Sequence, residues 1–106
     1  MDGSDLGLDP VVHPLPRLSL CAALAAGPGW VEFAVVRETT GLSDSAVSKH
    51  SRALEGGGYV EIKKGAVGRK PRTWLRLTPM GRARLAGHVA ALQRLAAPAN
   101  VQVETS

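Results

Sequence analysis

Residues 42–78 carry the sequence LSDSAVSKHSRALEGGGYVEIKKGAVGRKPRTWLRLT, and this stretch decides the fold of the chain. It predicts a short helix with one polar side, a stop at three consecutive glycines, and two strands that flank a basic loop. Residues 42–84 hold ten basic residues against three acidic ones, a net charge of +7. This order favours a helix presented to a groove of double-stranded DNA, with a basic hairpin beside it.

Length and charge limit what the rest of the chain can be. With 106 residues and a net charge of +4, it predicts one small domain with a polyanionic partner, either DNA or a membrane surface. No segment approaches the roughly 18 consecutive apolar residues of a membrane span. Three aspartates among the first ten residues argue against a signal peptide, so we expect a cytoplasmic protein without membrane contact.

The residues before position 42 predict two helices that support this stretch. Leu20, Cys21 and Leu24 form a buried stripe at helical spacing, and two prolines are confined to the start of that helix, where proline is tolerated. Gly41 allows a tight turn before the third helix. The predicted order is a flexible arm at 1–12, a helix at 13–26, a very short strand at 30–32 and a second helix at 33–40, within a domain at 13–97 that a disordered tail at 98–106 follows.

The third helix, predicted over residues 43–56, is expected to enter the major groove. Ser43 is a candidate N-cap, and Val47 and Leu54 point toward the core. The opposite side is small, polar and cationic, which suits contacts with base edges. Arg52 is the foremost candidate for a bidentate contact with guanine, followed by Lys49. The residues assigned to base contacts are Ser45, Ser48, Lys49 and Arg52.

A basic hairpin, or wing, is predicted over residues 59–78. Its strands at 59–64 and 73–78 alternate apolar and polar residues, and the segment 65–72 between them is interpreted as a loop too long for a two-residue turn. Basic side chains here would meet DNA phosphates or a minor groove, adding affinity without much sequence information. The residues assigned to this role are Lys63, Lys64, Arg69, Lys70 and Arg72.

A long final helix is predicted from the cap Thr78 and Pro79 to about Ala97. At about 1.5 Å per residue it would be about 28 Å long, more than one small core needs to cover. Apolar residues recur along it at three- and four-residue steps, as in a seam between two helices. We therefore expect a homodimer with an interface at Leu85, Val89, Leu92 and Leu95.

Several motifs resemble one known group of regulators. They are HPLPRL at 13–18, LSDSAVSKH at 42–50, LE at 54–55, GYV at 58–60, RT at 72–73, LT at 77–78 and GR at 81–82. Over about residues 13–95 the chain is similar to the small winged-helix transcriptional regulators of bacteria, of the MarR and ArsR types. The resemblance implies an α+β, mostly α, winged helix-turn-helix with a two- to three-stranded wing and a long C-terminal helix. It also implies a nucleoid-associated dimeric repressor that binds a pseudo-palindrome.

Two positions depart from that group's pattern. Ser51 stands where the pattern has leucine, so either the third helix is seated less firmly or the hydroxyl bonds a neighbouring carbonyl. The spaced proline in HPLPRL leaves the exact start of the first helix open.

The leading alternative to DNA binding is a winged-helix module that binds proteins, although such a wing would mix apolar and charged residues, and this one is rich in Lys, Arg and Gly. The sequence shows no nucleophile paired with a base, as many enzymes require. It also lacks the group of aromatic residues on which the bases of a single-stranded nucleic acid would stack.

No cofactor or metal is expected. The one cysteine, Cys21, excludes an internal disulfide and is interpreted as a small buried hydrophobe, with redox sensing as the lesser alternative. The histidines at 13, 50 and 88 lack the spacing of a metal cluster. A small-molecule effector would have to bind between subunits, and no convergent polar pocket supports one.

Overall fold

A computed structural model describes residues 7–99. The elements follow in the order α1 (Leu15–Ala26), β1 (Val31–Glu32), α2 (Phe33–Thr40), α3 (Asp44–Gly56), β2 (Val60–Val67), β3 (Lys70–Leu77) and α4 (Pro79–Ala96), and a 3-10 turn at Ala97–Ala99 ends the described part. The α+β, mostly helical fold with a wing and a long final helix is confirmed. The first helix begins at Leu15 instead of residue 13, because Pro14 has extended backbone angles.

The strands form one antiparallel sheet in the order β1-β3-β2. The pairing of β2 with β3 continues without a break from Val60 opposite Leu77 to Val67 opposite Lys70. The turn therefore consists of two residues at 68 and 69, and Gly68 has a φ of 63°. The prediction of a longer loop at 65–72 is wrong, because this glycine adopts the left-handed conformation that two-residue hairpin turns use.

The core lies between α1, α3 and one face of the sheet. Leu20, Cys21 and Leu24 are buried as predicted, and Val47 and Leu54 meet them from α3. The same face of the sheet contributes the buried side chains of Val60, Leu75 and Leu77, and Ile62 packs against them half-buried. Burial of this apolar area is the main force that seats α3 and the base of the wing against each other.

Residues 9–12 belong to this packed structure, which corrects the prediction of a flexible arm up to residue 12. Val12 is fully buried in the core. The buried carboxylate of Asp9 accepts the backbone N–H of Val11 at 2.8 Å and the hydroxyl of Tyr59 at 2.7 Å. The backbone N–H of Asp9 donates to Nδ1 of His88 at 2.9 Å. Residues 1–6 of the predicted arm and 100–106 of the predicted tail lie outside the described residues.

The packing of this segment is not evident from the sequence because its partners are distant along the chain. Asp9 contacts residues 50 and 79 positions away, so its polar neighbours in the sequence carry no sign of these bonds. A carboxylate that is buried requires several donors, and the two backbone amides and the tyrosine supply them.

The final helix begins as predicted. Thr78 Oγ1 accepts the N–H of Gly81 at 2.9 Å, with Pro79 in the first turn. Of the residues predicted for the dimer interface, Leu85 is buried within the core and Val89 and Leu95 are exposed, and the assignment of this interface stays a prediction. No helix among the described residues is long and apolar enough to cross a membrane.

Candidate nucleic-acid interface

A cap and a turn hold α3 in position. Ser43 Oγ accepts the N–H of Ala46 at 3.1 Å and satisfies one of the free amides at the helix start. Gly41 ends α2 with a φ of 73°, as predicted for the turn before α3. An exposed ion pair of 3.0 Å between Arg37 Nη1 and Asp44 Oδ1 joins α2 to the first turn of α3. Such a pair adds little stability, but it neutralises the carboxylate nearest the start of this helix.

The predicted base-contacting side of α3 lies on the surface. Ser45, Lys49 and Arg52 are exposed, and Ser48 is half-buried beside the wing. Val47 on the opposite side is fully buried, so the helix divides into a core side and a solvent side as expected. The assignment of the four polar side chains to bases stays a prediction.

α3 and the wing border a cleft of about 130 Å³. Arg52 of α3 and Lys64 of β2 line this cleft together with Ser48 and Thr73. A larger cleft of about 370 Å³ shares Ser48 and Thr73 with it and extends toward β1. The structure therefore brings together one predicted base-contacting arginine and one predicted wing lysine from two separate elements.

The remaining basic wing residues differ in their surroundings. Arg69 lies in the turn and Lys70 follows it at the start of β3, and both are exposed. Arg72 lies further inside β3, where its Nε is 3.6 Å from Oε1 of Glu32 on β1. The carboxylate of Glu32 partly neutralises the charge of Arg72. Arg72 therefore differs from Arg69 and Lys70, which lie in the turn and directly after it.

Lys63 lies on the other face of the hairpin from Lys64. Successive residues of a strand point to opposite faces, and Lys64 lies on the face that carries Ile62 toward α3. On the outer face, Lys63 Nζ is 4.6 Å from the ring centroid of Trp30 and 5.0 Å from that of Trp74. The structure thus separates Lys63 from Lys64, whereas Lys70 and Arg72 of β3 lie on the same face as Lys63.

Ser51 forms the hydrogen bond to a neighbouring carbonyl that was one of the two possibilities for this position. Its side chain is buried, and its hydroxyl donates to the carbonyl oxygen of Ser48 at 3.1 Å. A buried hydroxyl is thereby satisfied within the helix, beside the cleft that Ser51 also lines. Burial, followed by the charges of Arg17 and Lys49, lowers the pKa of the neighbouring His50 below its ordinary value of 6.5.

The surroundings of Cys21 disfavour the thiolate form of its side chain. It is fully buried, and burial, with a smaller contribution from Asp9, raises the pKa of the thiol to about 11. The thiolate is the reactive form of cysteine, so this environment suits a packing residue. Between residues 7 and 99, no group of three or more His, Cys, Asp or Glu side chains is arranged to hold a metal ion.

Sequence reasoning missed Thr73 and Trp30. Thr73 lines both clefts, and its two-residue offset from the buried Leu75 already placed it on the inner face of the strand. Trp30 lies beside the wing because β1 pairs with β3. No feature of the local sequence indicates that pairing.

These features define a class of protein, a winged-helix domain with exposed basic residues on its third helix and on its hairpin. The chain belongs to the family of winged helix DNA-binding domains, whose sequence model matches residues 17–96. No curated protein matches the chain.

Solved structures of transcriptional regulators share this fold. A transcriptional regulator homologue from Pyrococcus horikoshii OT3 is 17% identical, with a TM-score of 0.75 over 92% of this chain and 96% of that chain. A MarR family transcriptional regulator from Silicibacter pomeroyi DSS is 22% identical, with a TM-score of 0.62 over 87% of this chain and 58% of that chain. The predicted likeness to the MarR type is confirmed at the level of the fold.

A third structure has higher sequence identity. The PcaV transcriptional regulator from Streptomyces coelicolor, solved in complex with its natural ligand, is 29% identical to this chain. The TM-score is 0.60, and the match covers 80% of this chain and 62% of that chain.

Proposed function

We propose that the chain is a transcriptional regulator that binds double-stranded DNA in a sequence-specific manner, as a homodimeric repressor in the bacterial cytoplasm. α3 lies in the major groove of its operator, and the tip of the wing lies on the phosphate backbone or in the minor groove. Membership of the winged helix DNA-binding family supports this proposal, as does the fold shared with regulators.

The cleft between α3 and the wing is the observation that carries the proposal. Arg52 and Lys64 line it, and its lining of described residues contains no acidic side chain. Two cations that line one cleft from separate elements create a positive potential there, which a polyanion that binds both neutralises. Small polar residues, Ser48 and Thr73, line the same cleft and leave room for a DNA backbone to approach.

A salt titration tests DNA binding. We expect the logarithm of the affinity for random duplex DNA to fall linearly with the logarithm of salt concentration, with a slope of about −0.9 for each phosphate neutralised. Replacing Arg69 and Lys70 with alanine together should make the slope shallower by about 1.8 if each contacts one phosphate. An affinity that does not change with salt would exclude the DNA function and favour a protein-binding module.

The dimer rests on the exposed apolar residues of the terminal helices. Val89 and Leu95 of α4 and Leu15 of α1 are exposed, and Leu92 is half-buried between the two α4 positions. A second copy that covers them would bring two α3 helices onto one duplex, as in other helix-turn-helix dimers. Repression is tested by mapping bound fragments across the genome and deleting the gene, after which transcripts next to the bound sites should rise.

A further inference from the structure

Lys63 connects β2 with β3 and with the segment before β1 through aromatic contacts. Trp74 is its direct cross-strand partner on β3, and Trp30 precedes β1 on the far side of β3. The ammonium group lies over both rings, at 4.6 Å from the centroid of Trp30 and 5.0 Å from that of Trp74. Because cations are attracted to aromatic faces within about 6 Å, the side chain of Lys63 links β2 to the segment before β1.

A second cation stabilises the same cluster. The guanidinium carbon of Arg76 is 4.3 Å from the ring centroid of Trp30, and Arg76 Nε is 3.1 Å from Oε1 of Glu61. Arg76 and Glu61 are cross-strand partners on the outer face, so their pair lies directly beside the Lys63 site. Trp30 therefore makes a cation–π contact with one residue of each hairpin strand, Lys63 of β2 and Arg76 of β3.

The position of this cluster matters because the distal half of the wing has few other attachments. β1 comprises two residues and makes two residue pairs with β3. Residues 63–71 of the hairpin are exposed, so its distal half has no buried side chains to position it. The angle between this distal half and α3 consequently depends on contacts at the point where it begins, at Lys63 and the tryptophan rings.

We propose that Lys63 is a positioning residue that holds the wing at its angle to α3 through Trp30 and Trp74, and that it makes no contact with DNA. This inference rests on the proposed DNA-binding function. It assigns different roles to two adjacent lysines. Lys64 faces the cleft that Arg52 lines, whereas Lys63 faces the tryptophans on the opposite side of the sheet.

The matched variants Lys63→Gln and Lys64→Gln separate the two roles, because each removes one positive charge at neighbouring positions. Lys63→Gln should weaken binding to all duplexes by about two- to five-fold while the salt dependence of affinity stays that of the unsubstituted chain. Lys64→Gln should make the slope shallower by about 0.9. Lys63→Arg, which keeps a cation over the rings, should restore affinity. A slope that becomes shallower in Lys63→Gln as in Lys64→Gln would overturn the proposal.

Fluorescence of the DNA-free protein gives an independent test. Trp30 and Trp74 are the two tryptophans of the chain, so its tryptophan emission comes from this cluster. Acrylamide quenching should increase in Lys63→Gln and stay unchanged in Lys64→Gln and Lys63→Arg. Equal quenching in all four proteins would show that Lys63 does not cover the rings and would overturn the proposal. If the unsubstituted chain does not bind DNA, the proposed function fails and the quenching alone decides the role of Lys63.

Discussion

Arg52 and Arg69 occupy different parts of the candidate interface, and this predicts different effects on DNA binding. Arg52 projects from α3 into the cleft beside the wing, whereas Arg69 lies in the turn at the wing tip. Arg52→Ala should lose about 1–3 kcal/mol of discrimination at one base pair, because a bidentate contact with guanine would be removed. Arg69→Ala should weaken binding to every sequence alike. Competition between the operator and its single-base variants measures both effects, and an equal loss of specificity in the two variants would contradict the assignment.

Lys63, Lys64 and Arg72 show how far a basic sequence can be interpreted before the fold is known. Alternation along the strand already implies that Lys63 and Lys64 face opposite sides, so their separation was predictable in principle. The partners were not predictable, because Trp30 and Glu32 reach the wing only through the pairing of β1 with β3. Local chemistry is visible in a sequence, whereas contacts between distant segments depend on the tertiary arrangement.

At the scale of elements, α4 is fitted against the base of the wing at Gly81. A Cβ atom at this position would lie against the backbone of Tyr59, closer than van der Waals contact allows. Because backbone cannot move aside as a flexible side chain can, Gly81→Ala should reduce the free energy of unfolding by about 1–3 kcal/mol or more.

A matched glycine on the same helix provides the control. A Cβ atom at Gly87 would meet nothing within 4 Å in the described part of the chain. Gly87→Ala should therefore stabilise the protein by about 0.5–1 kcal/mol through its higher helix propensity. Urea unfolding of both variants measures the difference, and equal stability of the two would refute this view of the α4 contact.

The elements that were predicted correctly carry strong local signals. Ser43 and Thr78 cap helices that begin one residue later, and Gly41 adopts the positive φ that its turn requires. The turn is not evident from the sequence, because two glycines and a proline in 65–72 hide the strand pairing, which continues to Val67 opposite Lys70. Backbone pairing can thus extend through residues that have low strand propensity when the turn itself is favourable.

At the scale of the whole molecule, the dimer proposal predicts a change of mass. Leu95 on α4 is 45% exposed, and Val35 on α2 is 46% exposed, so they form a matched pair of surface apolar residues. Leu95→Glu should convert a dimer into a monomer, since it places a charge in the proposed interface. Val35→Glu should leave the mass unchanged. Sedimentation velocity measures both, and a dimeric Leu95→Glu variant would place the interface elsewhere.

The stability of the chain should also depend on pH through His88. Nδ1 of His88 accepts the N–H of Asp9, and a proton at that atom would remove the acceptor. Burial, followed by the nearby His13, lowers the pKa of His88 below its ordinary value of 6.5, and Asp9 acts in the opposite direction. Arg84 and Tyr59 line the same cavity of about 430 Å³ and complete the polar surroundings of the ring.

The sign of the effect follows from this lowered pKa. As the pH falls through 6.5, the unfolded chain binds a proton at His88 before the folded chain does, so the free energy of unfolding decreases. We expect the stabilisation that neutral His88 contributes to be fully present at neutral pH and to be lost in acid. Urea unfolding between about pH 7.5 and 5 measures this change. His88→Gln should reduce the loss. The pKa of His50 is lowered as well, so His50→Gln measures the separate contribution of that histidine to the loss. The same loss in His88→Gln as in the unsubstituted chain would contradict the link.

Tyr59 contacts three parts of the molecule. Its hydroxyl donates to Asp9, its carbonyl oxygen accepts the N–H of Thr78, and its backbone packs against Gly81 at the start of α4. A wing clamped in this way to the helix of the proposed subunit contact has a fixed distance from its counterpart in a dimer. The number of base pairs between the two halves of an operator would then be set by the angle at which two α4 helices cross, and regulators with the same α3 side chains could select different sites by that spacing alone.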